Sequence, residues 1–435
     1  QIQSIFASGD ISFRDYLFLT LSGRNDWSSN LAFTPNGSYF YPAVGLSFLL
    51  SEAAKLPEVI NYAKLRASYA QVGNTVGTYA TNPLNQLGPG GSVINNGVAP
   101  LPVLKPEKTN SYEFGTDWGF MNNRLTFNLT YYKTNTINQF FKIIPPATTG
   151  YTIGYINAGN IQNSGLEIML GYDVIKDKSF FWNTSFNYSN NKNIIIDVDS
   201  KDNIDQFLLT APVQNYESAI TKGGSFGDIY GYKLATDEQG RVIIGSSGLP
   251  SLAASSKYGQ FFNLGNPNPK FQAGWSNRFK YKNFSLNVLV DGRFGGEIYS
   301  LTQANLDKYG VSKISGEARD AGGVKINGVD PAGNPVTTID PQKWYSVASQ
   351  TVGEYIYSAT VVRLGEASFG YNFAINNSFA KSINLAVTGR NLLYFYKKAP
   401  SDPMQTISSG NGLSGLENFN QPAVRNYGLS LNVAF

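Results

Sequence analysis

The sequence predicts an all-β protein, a transmembrane antiparallel β-barrel whose apolar side chains face lipid and whose polar side chains face a water-filled lumen. Three observations predict this fold class. Apolar and polar residues alternate with a period of two in many segments, and the connections between these segments are alternately short and long. In addition, no apolar run approaches the roughly 18–20 residues of a membrane-spanning helix.

The last strand shows the alternation clearly. The intervening positions 428, 430, 432 and 434 are small or polar, whereas every second residue is large and apolar. The apolar set consists of Tyr427, Leu429, Leu431, Val433 and Phe435. We expect this set to contact membrane lipid, because a barrel strand turns one face to acyl chains.

The same pattern recurs along the chain and predicts about thirteen membrane crossings. Each is close to the roughly 9–11 residues that a tilted strand needs to cross the hydrocarbon layer. The predicted strands cover residues 1–8, 12–24, 38–50, 61–73, 110–120, 125–132, 166–172, 178–190, 271–281, 284–291, 361–373, 383–388 and 427–435.

The connections between these strands fall into two classes. Short ones are expected at 9–11, 51–60, 121–123, 175–178, 282–283 and 374–381, and long ones near 74–109, 135–159, 191–270, 294–360 and 394–424. Outer-membrane barrels show this asymmetry, with short periplasmic turns and long extracellular loops. We expect local hairpins in the long connections, for example around 240–244, but no second domain with its own core.

Composition excludes several kinds of chemistry. The 435 residues include no histidine and no cysteine, so imidazole bases, thiol nucleophiles and disulfides are absent. The net charge of +4 comes from lysines and arginines spread along the chain, which argues against nucleic-acid binding. Asp117 and Glu167 are the carboxylates considered as a catalytic pair, but barrel walls need such charges anyway. We expect no catalytic residue and no cofactor.

The chain starts at Gln1 without an initiator methionine or a signal peptide. An odd number of crossings would place Gln1 at the extracellular side, whereas bacterial single-chain barrels have an even number of strands. We therefore expect residues 1–435 to be the carboxy-terminal part of a larger barrel.

Several motifs, taken in order, resemble the SusC/RagA family of TonB-linked outer-membrane transporters. The segment 160–168 contains N-S-G-L-E, which is similar to the family's N-x-G-x-E strand start, and 265–271 contains its G-N-P-N-P segment. The remaining matching segments are 110–120 with the following hairpin, 279–286, 363–373, 389–392 and 402–403.

This resemblance implies a 22-stranded barrel filled by an amino-terminal plug. It further implies import of oligosaccharides or peptides across the outer membrane of a Gram-negative, Bacteroidetes-like bacterium. The implied partners are TonB–ExbB–ExbD and a SusD-like lipoprotein lid, and the plug and early strands would lie outside this chain. Some relatives carry a calcium-binding-like loop before G-N-P-N-P; the D-E-Q-G-R segment at 237–241 lacks that spacing, so we expect no metal.

Strand alternation assigns a set of charged side chains to the lumen, where they would hydrate the wall or contact the plug. Charges on the lipid face would be costly, about 2–4 kcal/mol for Arg or Lys at the midplane. The set is Glu113, Asp117, Arg124, Glu167, Arg278, Lys280, Asp291, Arg293, Glu366 and Arg390.

Aromatic residues in the long connections are candidates for substrate contact, because they could stack on sugar rings or pack against peptide side chains. These are Phe226, Tyr230, Trp344 and Tyr345. The alternative is that they pack within the loops or against the lid.

Three other functions fit the same fold pattern less closely. A passive porin or substrate-specific channel would lack the plug and the TonB-contacting segment. A surface adhesin would leave nutrient uptake unchanged when deleted. A soluble β-sandwich enzyme would be extracted without detergent and would bury the apolar face of the last strand between two sheets.

Overall fold

The computed structural model describes residues 1–31, 34, 37–74, 83–99, 105–143, 147–199, 204–209, 213–254, 261–375, 381–406 and 413–434. Within these ranges, thirteen long strands form one antiparallel sheet, called the wall, in which each strand pairs with the next one along the chain. The strands are β1 (Ile2–Phe13), β2 (Leu17–Ser28), β3 (Ser38–Leu49), β4 (Ile60–Asn74), β5 (Glu107–Phe120), β6 (Leu125–Ile143), β7 (Gly154–Lys176), β8 (Phe180–Asp197), β9 (Phe271–Tyr281), β10 (Phe284–Phe294), β11 (Val361–Ala374), β12 (Ser382–Lys397) and β13 (Asn426–Ala434).

Tight hairpin turns join the strands at one edge of the wall. Met121, Asn122 and Asn123 all have positive φ between β5 and β6, and Lys282 does between β9 and β10. Positive φ at the central residues gives the turn a twist that matches the flanking strands. The long connections meet at the opposite edge, which confirms the predicted asymmetry.

The first predicted turn was misplaced. Residues 9–11 lie inside β1, and Asp10 accepts a hydrogen bond from Thr20 across the strand pair at 2.7 Å. The chain reverses instead at Arg14 and Asp15, which both have positive φ. The glycine at position 9 suggested a turn, but an aspartate can adopt the left-handed conformation as well.

The predicted long connection at 135–159 is also mostly strand. β6 continues to Ile143 and β7 begins at Gly154. Side-chain hydrogen bonds of 2.9 Å hold the extension of β6 on both sides: Asn135 donates to Asn160 on β7, and Thr136 bonds Thr109 on β5. Both faces carry polar residues here, so the sequence shows no alternation to detect.

The part of the chain that the structure describes contains four short α-helices that the sequence analysis did not predict, α1 (Leu50–Ala53), α2 (Leu301–Lys308), α3 (Lys313–Asp320) and α4 (Pro341–Ala348). Side chains cap three of them: Ser300, Ser312 and Asp340 each accept a hydrogen bond from a backbone amide in the first turn of α2, α3 and α4. None of the helices in the described ranges has the length and apolarity required to span a bilayer.

Small strands complete the long connections and form sheets separate from the wall. Four strands, Gln206–Leu208, Tyr216–Thr221, Asp228–Gly231 and Phe262–Gly265, form the largest. The others join Val242–Ile243 to Val324–Val329 and Pro335–Ile339, Glu297–Ser300 to Ile356–Ser358 and Leu416–Glu417, and Gln86–Leu87 to Val93–Ile94. The predicted hairpin at 240–244 exists as a turn closed by the bridge between Thr236 and Val242.

The long connections pack against one another, which the sequence analysis did not predict. The loop layer, defined as the described residues within 198–270, 295–360 and 398–425, contains a buried cluster drawn from all three connections. Its members are Tyr216, Ile229, Tyr299, Leu301, Ala304, Val352, Tyr355 and Leu416. Because three connections share this core, each one depends on the others for its conformation.

Candidate functional site

One largely polar face runs across the wall. Following the pairing from β5 to β11, one row on this face consists of Asp117, Asn128, Met169, Asn187, Gly274, Asp291 and Arg363, in which Met169 is apolar. Because directly paired residues share a face, the register places most of the charged residues predicted for the lumen on this side. These are Glu113, Asp117, Glu167, Arg278, Lys280, Asp291, Arg293, Glu366 and Arg390.

Arg124 differs from that set because it lies in the turn before β6. Its guanidinium donates hydrogen bonds to the backbone carbonyls of Asp173 and Val174, each at 3.0 Å from Nη2. It therefore joins two neighbouring strands at the edge of the wall that carries the short turns.

Ion pairs cross between neighbouring strands on the polar face. Arg390 lies 3.0 Å from Glu366, and Arg66 lies 3.8 Å from Asp117. Arg66 also donates a hydrogen bond of 2.5 Å to Thr130. These contacts pair charges that would otherwise lie unpaired on the polar face of the wall.

Arg363 belongs to the polar face but was not among the predicted residues. Simple alternation from Glu366 would place it on the apolar face. A β-bulge at Gly365 adds one residue to β11, so that Arg363 pairs with Asp291 instead. The sequence signal for this shift is the glycine itself, since a Cβ at position 365 would overlap the Asp291 carboxylate.

The opposite face of the wall is apolar and exposed. The exposed fractions are 72% for Tyr427, 79% for Leu429, 64% for Leu431 and 37% for Val433. Phe435, the last member of the predicted lipid-facing set, lies outside the described residues. No second sheet covers the four described side chains, as a soluble β-sandwich would require.

Hydrogen bonds hold the G-N-P-N-P segment within the loop layer. The Asn266 side chain donates to Asp228 at 2.6 Å, and its backbone amide donates to Glu297 at 2.9 Å. Asn268 donates to the backbone carbonyl of Phe226 at 3.2 Å. Burial raises the pKa of Asp228, and hydrogen bonds such as the one from Asn266 oppose that rise. The motif therefore fixes the loops immediately before β9.

The four aromatic candidates for substrate contact do not form one site. Tyr230 is 3% exposed and its hydroxyl lies 2.9 Å from that of Thr221, while Tyr345 is 7% exposed on α4. Phe226 packs against the buried cluster that contains Ile220. Tyr230 and Tyr345 are therefore buried within the loop layer, and substrate contact by these aromatic residues stays a prediction. Trp344 is half-buried and lies beside Tyr345 in sequence.

A cavity of about 450 Å³ opens between the connection β4–β5 and the connection β6–β7. Asn85 accepts a hydrogen bond from the Asn96 backbone amide at 3.0 Å, and Gly97 accepts one from Thr152 at 2.7 Å, which fixes both rims. The lining residues that the structure describes are uncharged: Pro83, Asn85, Asn95, Asn96, Gly97, Val98, Thr149, Gly150 and Tyr151. Sequence reasoning missed this cavity because it depends on the meeting of two distant segments.

The described residues contain no cluster of three or more carboxylates that could hold a metal ion. Asp117, considered earlier as a catalytic carboxylate, is paired with Arg66 and accepts a hydrogen bond from Asn128. Asp117 is therefore one of the paired charges on the polar face of the wall.

Comparison with known proteins identifies this architecture. The model of the TonB-dependent receptor-like β-barrel family matches residues 1–392. The chain belongs to this family. Its members are outer-membrane proteins of Gram-negative bacteria, and the predicted fold class, a transmembrane antiparallel barrel wall with long extracellular connections and short periplasmic turns, is confirmed.

Among curated relatives, TonB-dependent receptor P3 of Formosa agariphila is 27% identical over the whole chain, which covers 46% of that protein. TonB-dependent receptor SusC of Bacteroides thetaiotaomicron is 25% identical over 68% of the chain and 33% of SusC. The chain thus spans about half the length of the first relative and a third of the second.

Solved structures share this fold. The RagAB peptide transporter superposes on the whole chain with a TM-score of 0.77 at 18% identity, over 48% of its own chain. The open-open state of the RagAB peptide importer gives a TM-score of 0.75 at the same identity, over 47% of that chain. The resemblance to SusC/RagA inferred from the motifs is therefore confirmed.

Packing between β6 and β7 explains why the N-S-G-L-E motif has a glycine at position 165. Gly165 pairs with Tyr132 across β6 and β7, on the polar face. A Cβ at position 165 would overlap the Tyr132 ring and the carbonyl of Asn190. Glycine is needed at position 165 because the Tyr132 side chain and the Asn190 carbonyl occupy the space that a Cβ would take.

Proposed function

We propose that this chain is the carboxy-terminal barrel part of a SusC-like transporter that imports oligosaccharides or peptides across the outer membrane with TonB-derived energy. The single observation that supports this most is the two-sided wall in a member of this family. One face presents exposed apolar residues such as Leu429, and the other presents interstrand ion pairs such as Arg390–Glu366.

The polar face is proposed to contact an amino-terminal plug that lies outside this chain, together with the early strands of the barrel. Arg278 and Lys280 support this assignment, because they line a depression of about 520 Å³ on the polar face with Glu366. Arg278 donates a hydrogen bond to Asn287 at 3.2 Å, which directs its guanidinium along the wall.

The cavity between the extracellular connections supports an oligosaccharide over a charged peptide. Its amide side chains offer neutral donors and acceptors, and Tyr151, which is 40% exposed, offers a ring face. A volume of about 450 Å³ is within the usual range of small-molecule sites. Charged peptide termini would lose water there without gaining a charged partner.

The proposed partners follow from the family and from its relatives. TonB–ExbB–ExbD would supply energy through the amino-terminal part, and a SusD-like lipoprotein would cover the extracellular connections of a Bacteroidetes-like bacterium. RagAB is described as a peptide importer, so peptide transport stays the second substrate class. Affinity purification of the complete gene product, with recovery of a surface lipoprotein, tests the lid.

A growth assay tests active import. A deletion strain is grown on neutral oligosaccharides or on peptides as the sole carbon source, with the complete gene supplied in strains that contain or lack TonB. We expect growth to be restored only when TonB is present. Growth restored without TonB would contradict active import and would indicate a passive porin.

A matched pair of variants tests the cavity in the same strain. Asn95→Ala combined with Tyr151→Ala should lower uptake of the neutral oligosaccharide that supports growth. Tyr309→Ala is the control, because Tyr309 is 72% exposed in the loop layer and lies outside this cavity. Equal uptake by the double variant and the Tyr309→Ala control would show that the substrate does not bind in this cavity.

A further inference from the structure

Three neighbouring strands are longer than a membrane crossing requires. β6 has 19 residues, β7 has 23 and β8 has 18, compared with roughly 9–11 for a tilted strand that spans the hydrocarbon layer. The residues in excess of one membrane crossing lie at the edge of the wall with the long connections, which is the extracellular side. The wall therefore projects beyond the outer leaflet at β6–β8.

The lipid-facing side of this region changes from apolar to basic along the strands. On β6, Leu125, Phe127, Leu129 and Tyr131 are followed at the next outward position by Lys133. The register pairs Lys133 with Ser164 on β7, and Ser164 with Lys192 on β8, so the three side chains share the outward face. The change falls just beyond aromatic Tyr131, where membrane barrels place their interfacial girdle.

Lys133 and Lys192 are separated by one strand, so their backbones lie about 9–10 Å apart, two interstrand spacings. Both are exposed, and neither has an acidic group within ion-pair distance among the residues that the structure describes. The outward positions around the two lysines on β5–β8 are uncharged: Tyr112 directly opposite Lys133, then Asn110, Asn135, Gln162, Asn190 and Ile194. Two uncompensated ammonium groups thus flank one hydroxyl group.

From this arrangement we infer that Lys133, Ser164 and Lys192 bind a phosphate group of an outer-leaflet glycolipid of the lipid A type. Lysine is a common phosphate ligand, and two ammonium groups at this spacing can reach one phosphate from both sides while Ser164 donates a hydrogen bond. A lipid supplies the phosphate because apolar Tyr131 and Leu166 lie directly below on the same face, where acyl chains would pack. The site goes beyond the transport function proposed above and rests only on the position of the wall in the outer membrane.

The test measures lipid retention by the complete gene product in detergent, using native mass spectrometry. The probes are diphosphoryl lipid A, its fully dephosphorylated form, and inorganic phosphate as a competitor. Lys133→Ser combined with Lys192→Ser should weaken retention of diphosphoryl lipid A by roughly 30-fold, the effect of removing two interfacial lysines. Lys133→Arg combined with Lys192→Arg should retain it, because both cations are kept.

The control is Lys308→Ser combined with Lys313→Ser, which removes the same charge from the loop layer. It should leave retention unchanged, and a folded band that shifts on heating should show that every variant is assembled. Three results would overturn the inference: equal retention by the double serine variant, equal binding of dephosphorylated lipid A, or complete displacement by inorganic phosphate, which would indicate a site for the free ion. None of these measurements depends on transport, so they fail or succeed independently of the growth assay.

Discussion

The Arg363 guanidinium lies 3.0 Å from the Asp291 carboxylate and 4.0 Å from that of Asp402. Tyr394 donates a hydrogen bond to Asp402 at 2.7 Å. The side chain of Arg363 is 18% exposed and that of Asp402 only 4%. One arginine therefore joins β10, β11 and the connection that precedes β13.

Replacing Arg363 by Met should destabilise the folded barrel by about 2–4 kcal/mol, because it leaves two partly buried carboxylates without their cation. Thermal unfolding, followed by the loss of the compact band on unheated gels, measures the effect. Arg390→Met is the control: the Arg390–Glu366 pair is 69% and 40% exposed, and loss of an exposed pair costs less than about 1 kcal/mol. Equal losses for the two variants would show that Arg363 has no special role.

The bulge at Gly365 gives a second prediction. Gly365→Ala should destabilise the barrel by roughly 1–3 kcal/mol, because the added methyl group must displace the Asp291 carboxylate and with it the ion pair to Arg363. Gly9→Ala, on β1, is the control because a Cβ there has open space around it. The same thermal assay compares the two. A neutral Gly365→Ala would mean that the bulge can relax without moving Asp291.

The strands were predictable wherever one face meets lipid and the other meets water. β9, β10 and β13 alternate at most positions, and their predicted bounds differ from the observed ones by at most three residues. Local alternation cannot reveal an inserted residue, so the bulge at Gly365 concealed the position of Arg363. It also fails in β6 beyond Asn135, where polar residues occupy both faces of the strand.

The loop layer was not predictable because its contacts are distant in sequence. Tyr216, Tyr299 and Leu416 come from three different connections and meet in one buried cluster. Their strands are short and irregular, so no periodicity marks them. Tyr230 and Tyr345 looked like free aromatic residues for the same reason, although tertiary packing buries both.

Glu217 gives a prediction for the pH dependence of the loop layer. It is 5% exposed on the strand Tyr216–Thr221, and burial raises the pKa of its carboxyl group. A raised pKa means that the folded state favours the protonated form. Its stabilising contribution is therefore complete below the unfolded pKa, near 4.5, and is lost as pH rises through the folded value.

Glu217→Gln should accordingly make the loop layer more resistant to proteolysis and hydrogen exchange at neutral pH. The advantage should vanish near pH 4, where the native carboxyl group is also neutral. Glu317→Gln is the control, since the Glu317 side chain is 64% exposed and pairs with Lys313 at the surface. If Glu217→Gln loosened the loops at pH 7, the carboxylate would have to be stabilised by its surroundings instead.

The last strand provides the most direct test of which face meets lipid. Leu429 lies near the middle of β13, opposite Val387 on β12, and both are exposed, at 79% and 54%. Leu429→Arg places a guanidinium in the hydrocarbon layer and should reduce barrel stability by about 2–4 kcal/mol. Ser430→Arg, one residue away, places the same group on the polar face beside Ala386 and should change stability by less than about 1 kcal/mol. Folding yield into bilayers of defined thickness compares the two variants. A larger loss for Ser430→Arg would reverse the two faces of the wall and, with them, every lumen assignment made from strand alternation.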